Sequence, residues 1–266
     1  MLYIVTTPIG NLKDMTYRAV EVLNGVDFIA CEDTRRSLVL LNYYSIKKPL
    51  VAYHKFNEKG CAERIIKEIE SGKSAALITD AGTPCISDPG SVLVVAAREK
   101  GIPVEAVGAG TALIHALVKS GMGGGGFHFA GFLPEKTKDR REFLSELKSV
   151  RAPLIFYSAP HDLNRDLKDM FAIFGARRAC IARELTKLHE EVVDFVLNEN
   201  PVLKPRGEYV LVVEGAADTE NPLLVLPPAE HFQHHIDSGL SQNEAVKRTA
   251  KERGVPKNEI YQITVK

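Results

Sequence analysis

The chain has 266 residues, 45% of them hydrophobic, and its 34 Lys plus Arg are matched by 34 Asp plus Glu. That length allows two domains with substantial cores, and the zero net charge excludes a protein that holds nucleic acid by bulk charge alone. Four scattered cysteines without CxxC spacing exclude a cysteine metal site, no apolar run approaches the roughly 20 residues of a membrane span, and the N-terminus has no basic leader, so a reduced, soluble, cytoplasmic protein is expected.

In chain order, Leu2 to Thr6 is an apolar run that predicts a first strand, followed by the turn residues Thr7-Pro8-Ile9-Gly10-Asn11. Asp14 or Thr16 then caps a helix carrying Ala19, Val20, Val22 and Leu23. Asp27 to Ala30 predicts a second strand that leads through Cys31-Glu32-Asp33-Thr34-Arg35-Arg36 into a helix with Leu38, Leu40 and Leu41. Leu50 to Tyr53 is a third strand, and Asn57 caps the helix carrying Ala62, Ile65, Ile66 and Ile69. Ala75 to Ile78 is a fourth, buried strand, which stops at Asp80.

The next eleven residues, Asp80 to Gly90, hold two Gly, two Pro, two Asp, a Ser and a Thr. Helical spacing resumes at Val92, Leu93, Val95 and Ala96. In an open parallel sheet, loops leaving the carboxyl ends of strands line the ligand crevice. Gly82 allows close backbone approach, and Asp80, Thr83 and Ser87 offer polar contacts. The other reading of this segment is an ordinary connection with turn residues. Val104 to Val107 predicts a fifth strand, followed by Gly108-Ala109-Gly110-Thr111-Ala112 and a helix to about Lys119. The alternation of strands and helices implies an α/β fold with a mostly parallel sheet.

Gly121 to Gly126 is too glycine-rich for regular structure, so a boundary is expected there, giving an N-terminal α/β domain over 1–120 and a second over 121–216. Strands are expected at Phe127 to Phe132, Leu154 to Tyr157, Arg178 to Ala182, Val192 to Leu197 and Tyr209 to Val213. Leu133 to Arg141 is expected to enter a helix to about Ser149, and a second helix is expected over Leu163 to Phe174. The late strands lack helices between them, which predicts a mixed second sheet. Gly215 to Pro222 reads as a linker to a small helical region over 228–266, where Ser241 and Glu244 have capping-box spacing. Lys247, Arg248, Lys251 and Arg253 there form either a solvated face or a phosphate contact.

The chain has no P-loop, no GxGxxG after the first strand, no HExxH and no GxSxG elbow. Its eight histidines show no metal pattern; His231, His234 and His235 are expected on a surface helix, and no metal is expected. Loops rich in Gly, Pro, Ser, Thr and carboxylates, with no covalent nucleophile, suit a substrate brought to a reactive cofactor.

Five motifs occur in order: Thr7-Pro8-Ile9-Gly10-Asn11-Leu12; Cys31-Glu32-Asp33-Thr34-Arg35; Asp80-Ala81-Gly82-Thr83-Pro84 with Ser87-Asp88-Pro89-Gly90; Gly131-Phe132-Leu133-Pro134; and Arg183-Glu184-Leu185-Thr186-Lys187. Together they resemble the small-subunit ribosomal RNA 2′-O-methyltransferase branch of the tetrapyrrole methylase superfamily, over nearly the whole chain. The resemblance implies two α/β domains with S-adenosylmethionine in the cleft between them, a homodimer, and methyl transfer to a cytidine ribose in the decoding centre of 16S rRNA, within the small ribosomal subunit. The Thr7 to Asn11 loop stands where tetrapyrrole-modifying relatives carry a GxGxGD loop. The chain departs from the family pattern at Gly108 to Ala112, at the Gly123 to Gly126 loop, and at Ser158 and Asp162, where the family has Glu and Arg.

The resemblance implies cofactor contacts from Pro8, Ile9, Asp80, Ala81, Gly82, Thr83, Ile86, Ser87, Thr111, Ala112, Tyr157 and Glu184. Asp80, His54, Glu184 and Lys187 are the catalytic candidates, with Glu32 and Asp33 as alternative bases. Each is alternatively a cap or an ion-pair partner. Arg35, Arg36, Lys136, Lys138, Arg140, Arg141, Arg183 and Lys187 would give RNA a local positive groove if they rim one cleft. Two rivals remain open: a superfamily methylase acting on a tetrapyrrole or a protein side chain, and a non-catalytic RNA-binding ribosome-assembly module, supported by Ser158 and Asp162.

Overall fold

The central strands of the first sheet are apolar runs too uniform to have a solvent face. In the computed structural model, which describes all residues except 109, 200, 202–206, 218–221 and 265–266, and omits the side chains of residues 222 and 264, every residue of β2 and β4 is buried. The expected linker over Gly215 to Pro222 therefore lies partly outside the described residues. Elements follow in the order β1 (Leu2–Val5), α1 (Tyr17–Gly25), β2 (Phe28–Cys31), α2 (Thr34–Tyr43), β3 (Leu50–Ala52), α3 (Glu58–Glu70), β4 (Ala75–Ile78), α4 (Ser91–Glu99), β5 (Val104–Val107) and α5 (Ala112–Lys119). All five strands are parallel in the order β3-β2-β4-β1-β5, with Leu77 beside Ile4 on one side and Ala30 on the other. Parallel strands joined by helical crossovers are covered on both faces, which is why these runs do not alternate with polar residues.

Helix starts are set by side chains that satisfy otherwise unpaired backbone N–H groups. The Thr16 hydroxyl accepts from Ala19 N at 3.1 Å to start α1, and Asp33 accepts from Arg35 N at 2.8 Å to start α2. Asn57 precedes α3 without capping it; its amide instead bridges His54 N and Ala52 O. One sheet face packs Ile65, Ile66 and Ile69 of α3 and Leu93 of α4 against Leu2, Ile4 and Leu77. The other packs Leu23 of α1 and Leu41 of α2 against Val5, Ile29 and Ile78. Each such fully buried aliphatic side chain contributes about 1.5–3 kcal/mol.

The chain continues through β6 (His128–Phe132), α6 (Thr137–Leu147), β7 (Leu154–Ser158), α7 (Leu163–Phe174), β8 (Arg178–Arg183), β9 (Glu191–Val196) and β10 (Tyr209–Val213). The second sheet is mixed, in the order β6-β7-β10-β8-β9, with only β6 and β7 parallel. Its outer face packs Leu144, Leu167, Met170 and Phe174 of α6 and α7 against Leu154, Phe156 and Leu211. Its other face packs Leu113, Ala116 and Leu117 of α5 against Ile155, Cys180, Ala182, Val210 and Val212. So α5, which leaves the last strand of the first sheet, is the helix that covers the second.

Both sheets lie in one compact unit, Met1–Gly215, and a second unit spans Ala216–Lys266. The second holds α8 (Pro228–Asp237), α9 (Gln242–Arg253) and α10 (Lys257–Thr264) around a small core of Phe232, Ala245, Val246, Ala250 and Ile260. The capping box forms, and Gly254 ends α9 in the left-handed region at φ 66°. The surface-helix expectation holds for His234 alone; His231 and His235, four residues apart on one face, are buried.

Candidate functional site

Strand direction puts the loops of both sheets at one place. The carboxyl ends of β1, β2, β4 and β5 open on the same edge, as parallel pairing requires. In the second sheet the carboxyl ends of β6, β7 and β8 and the amino end of the antiparallel β10 share one edge. Residues from these ends line one cleft of about 610 Å³. That volume lies in the ordinary range for a small-molecule site, about 300–1,000 Å³.

The loop after β4 is the cleft's most constrained wall. Thr7 and Gly82 exchange backbone hydrogen bonds at 2.9 and 3.1 Å, and the Thr7 hydroxyl donates to Thr79 O at 3.1 Å. The hydroxyls of Thr6 and Thr83 are 3.0 Å apart. At the loop's far end, Gly90 N donates to Glu58 Oε1 at 2.9 Å, which also accepts from Tyr53 OH. Gly90 has φ +141°, and a Cβ there would lie 2.7 Å from Cys85 Sγ and 2.8 Å from Leu77 Cδ2. Cys85 and Ser87 have φ of 73° and 65°, and Glu184 and Thr186 across the cleft have 52° and 67°. Non-glycine residues held there cost of order 1 kcal/mol or more each, and such strain clusters at functional sites.

Of the residues singled out in the sequence, Ile9, Asp80, Ala81, Gly82, Thr83, Ile86, Ser87, Thr111, Ala112, Tyr157, Glu184 and Lys187 line the cleft. Pro8 lies instead in a separate hollow with Gly110 and His115. His54 does not line the cleft either. Asp80 Oδ1 accepts from Asp33 N at 3.3 Å and Oδ2 from Arg36 Nη1 at 2.9 Å, so its carboxylate braces the β4 loop against α2. Lys187 Nζ donates to Glu184 Oε1 at 2.9 Å at the opposite rim.

The cleft also holds residues without an assigned role in the sequence: Asp88, Glu208 and Phe132. Asp88 lies inside the turn-rich loop, so its neighbours were its signal; Glu208 precedes an ordinary apolar strand and had none. Burial, then the charges of Glu32, Glu208 and Asp80, pushes the Asp88 carboxyl up to about 7. Burial and Asp80 likewise raise Glu32. Tyr157 is pushed up to about 12, above all by burial. Its ring packs edge-on against Phe129 and Phe132, with centroids 5.0 and 5.5 Å away. A cleft crowded with carboxylates, beside an aromatic wall, suits a ligand that carries positive charge and a flat ring.

The positive groove is smaller than expected. Arg140 is 1% exposed. Its guanidinium donates to Asp169 Oδ2 at 2.7 Å and to the carbonyls of Pro134 and Glu135. Arg183 is buried against Glu191 at 2.7 Å, and Arg141 pairs with Asp169. These three were expected to rim the cleft; the buried guanidiniums of Arg140 and Arg183 are instead committed to carboxylate partners, and the half-exposed Arg141 shares Asp169 of α7 with Arg140. Arg36 and Lys187 are the two of the eight cations that line the cleft, while Arg35, Lys136 and Lys138 are exposed elsewhere. Ser158 turns away from the cleft and donates to Asp166 Oδ2 at 2.8 Å, and Asp162 pairs with Arg165 at 2.8 Å. The two departures from the family pattern therefore leave the neighbouring Tyr157 on the cleft wall.

The chain matches the description Tetrapyrrole (Corrin/Porphyrin) Methylases over residues 1–200. It is 44% identical over 272 residues to the ribosomal RNA small subunit methyltransferase I of Halalkalibacterium halodurans, covering 98% of this chain and 93% of that one. The protein of the same name from Bacillus subtilis is 41% identical over 273 residues, covering 98% and 92%. That from Thermotoga maritima is 44% identical over 218 residues, which span 80% of this chain and 98% of its own length. Among solved structures, diphthine synthase superposes with a TM-score of 0.62 at 13% identity, covering 80% of this chain and 89% of that one. Uroporphyrin-III C-methyl transferase from Thermus thermophilus, complexed with S-adenyl homocysteine, gives 0.55 at 16%, covering 80% and 96%.

Proposed function

Because the chain belongs to the tetrapyrrole methylase family and is a ribosomal RNA methyltransferase that draws its methyl group from S-adenosylmethionine, we propose that it methylates the ribose 2′-oxygen of a cytidine in the decoding centre of 16S rRNA. The near-full-length likeness to the small-subunit enzymes carries this reading and favours it over a tetrapyrrole, a protein side chain or a non-catalytic role. The reaction takes place in the cytoplasm on the small ribosomal subunit, and the enzyme acts as a homodimer. Val39 and Tyr43, exposed apolar side chains one turn apart on α2, support the last point.

The residues present fit the cofactor. The Thr111 hydroxyl lines the cleft, buried and without a partner among the described residues, which suits a ligand that offers it a hydrogen bond. Gly82, at φ +87°, has among the described residues only Ile9 near its missing Cβ and leaves room for a ligand beside the backbone. The carboxylates Glu32, Asp80, Asp88 and Glu208 offset a ligand's positive charge in a partly water-excluded cleft.

When bound, S-adenosylmethionine supplies a methyl group already activated by a sulfonium, so the protein's work is alignment and removal of one proton. The loop of Ala81 to Ser87, with Thr111, Ala112 and Tyr157 opposite, holds the donor; the two sheets, over 1–120 and 121–216, act as its two walls. Asp88 accepts the ribose 2′-proton. Its environment makes it a stronger base than an ordinary carboxylate, with an affinity for protons matched to neutral pH. Lys187, held by Glu184, faces the acceptor side and steadies developing negative charge on the oxygen or on an adjacent phosphate. Asp80 acts as a positioning residue through Arg36 and the α2 start, and His54 takes no part.

The acceptor class is tested by offering tritiated S-adenosylmethionine and the full chain three acceptors: small ribosomal subunits lacking the modification, naked 16S rRNA, and a tetrapyrrole. Label in either RNA sample supports the reading, and the ratio between them tells whether the assembled subunit is the substrate. Label in the tetrapyrrole alone, or in none, contradicts it.

A further inference from the structure

The second unit carries a three-residue cluster that plays no part in the methyl-transfer cleft. His231 and His235 stand four residues apart on α8, so their rings share one face. Glu252 comes from α9, opposite them. His231 Nε2 lies 2.8 Å and His235 Nε2 3.0 Å from the same oxygen, Glu252 Oε2, and the three donor atoms all lie within 4.8 Å of one another. Both histidines are buried, at 0% and 5% exposure, while Glu252 keeps an edge to solvent.

We propose that His231, His235 and Glu252 bind one divalent transition-metal ion, with zinc the best match to this donor set. Two imidazole nitrogens and one carboxylate oxygen form a borderline-soft set that suits zinc over magnesium or calcium, which take oxygen donors. Bonds of about 2.0–2.1 Å at tetrahedral angles place donors roughly 3.3 Å apart. The nitrogen–oxygen separations here need to open by only a few tenths of an ångström, which rotation of Glu252 supplies. Arg248 Nε donates to the other carboxylate oxygen at 3.0 Å and fixes the orientation of the group, as outer-shell partners of metal ligands do. The fourth position opens on the solvent-facing side of Glu252 and takes water.

The small unit has a physical use for such an ion. Its fully buried core is one Phe, one Val, one Ile and two Ala, with Ile236, Leu240 and Val255 partly buried against it, a small apolar core for three helices that a further tie would strengthen. A metal held by His231, His235 and Glu252 ties α8 to α9. Binding to deprotonated ligands that exist together only in the folded unit adds directly to its folding stability.

The test uses the full chain, stripped with a chelator and titrated with Co²⁺ and Zn²⁺. The expected result is one Co²⁺ per chain, giving visible absorption of a four- or five-coordinate site that Zn²⁺ then displaces. Glu252→Gln and His235→Gln each weaken binding by about tenfold or more, with helix content checked by circular dichroism. A second measurement needs no variant. In the proton NMR spectrum, one equivalent of Zn²⁺ shifts the imidazole signals of two of the eight histidines strongly, moves those of His234, whose ring packs on His235, by less, and leaves the other five in place. Failure of the wild-type chain to bind either ion stoichiometrically overturns the proposal. So does binding that shifts other histidines while leaving His231 and His235 in place, or that both folded variants retain at full strength; each outcome leaves a hydrogen-bonded His–Glu–His triad only.

Discussion

Arg36 Nη1 donates to Asp80 Oδ2 at 2.9 Å, and through this contact the helix after β2 braces the loop after β4. Asp80 Oδ1 takes the Asp33 N–H at the same time. A carboxylate with both oxygens engaged this way holds shape. Arg36 is well exposed, so Arg36→Ala should change stability by no more than about 1 kcal/mol. Asp80→Ala leaves the Asp33 N–H and Arg36 unpaired and frees the loop that walls the cleft, so S-adenosylmethionine affinity should fall about tenfold. Titration calorimetry on both variants checks the pair; an Asp80→Ala chain that binds at wild-type strength contradicts the bracing role.

Asp88 connects turnover to pH. Its carboxyl in the folded chain sits near 7 against an ordinary 3.8. Between those values the folded state binds more protons than the unfolded one, so Asp88 lowers stability progressively as pH rises from about 4 to 7. Asp88→Asn should therefore melt higher than the wild type at pH 8 and lose that advantage below about pH 4. The same variant should lose roughly 10²–10⁴-fold in turnover. A variant that gains stability at pH 8 but keeps its turnover would make Asp88 a buried charge without catalytic duty.

Gly90 is a structural pivot. Gly90→Ala would force a Cβ within 2.8 Å of Leu77 and closer still to Cys85, at a φ that side chains rarely adopt. The expected cost is about 1–3 kcal/mol with displacement of the loop. Thermal melting reads the first, and loss of S-adenosylmethionine affinity reads the second. Gly72, also at positive φ but with no atom of the described residues within 4 Å of a Cβ, should tolerate Ala better and serves as the control.

The Arg140–Asp169 pair predicts the opposite separation of stability from binding. Both side chains are buried, and Arg140 also satisfies two carbonyls. Removing either partner leaves an uncompensated charge, so Asp169→Ala should cost about 3–5 kcal/mol. Neither residue lines the cleft, so the protein that remains folded should bind S-adenosylmethionine normally.

The Thermotoga maritima relative aligns with 80% of this chain over 98% of its own length. A chain ending at Gly215 keeps every residue that lines the cleft. It should bind S-adenosylmethionine within about twofold of the full chain. Any loss in RNA methylation by that chain then measures what the helical unit contributes to the acceptor.

Much of this was legible in the sequence because it is local. The apolar run ending at Asp80, followed by eleven turn-rich residues, marks both a buried parallel strand and the loop that lines the cleft. Thr16 and the Ser241–Glu244 pair mark helix starts by chemistry that acts over three residues. What the sequence hides is which partner a side chain meets at long range. Arg140 looks like a cleft cation until Asp169, 29 residues on, is brought beneath it. His231 and His235 show their shared face in their spacing, but nothing marks Glu252 on the next helix as the group they meet. The apolar face of α5 is equally plain, whereas the sheet it covers follows only from the tertiary arrangement.

Alkali reads the 2′-oxygen of a cytidine directly. A methylated 2′-oxygen cannot attack the adjacent phosphate, so the chain resists cleavage there. Small ribosomal subunits lacking the modification, treated with the enzyme and S-adenosylmethionine and then hydrolysed, should give a ladder with a single gap at one decoding-centre cytidine, absent with Asp88→Asn. A complete ladder from RNA that has taken up methyl label would put the group on a base and contradict the ribose assignment.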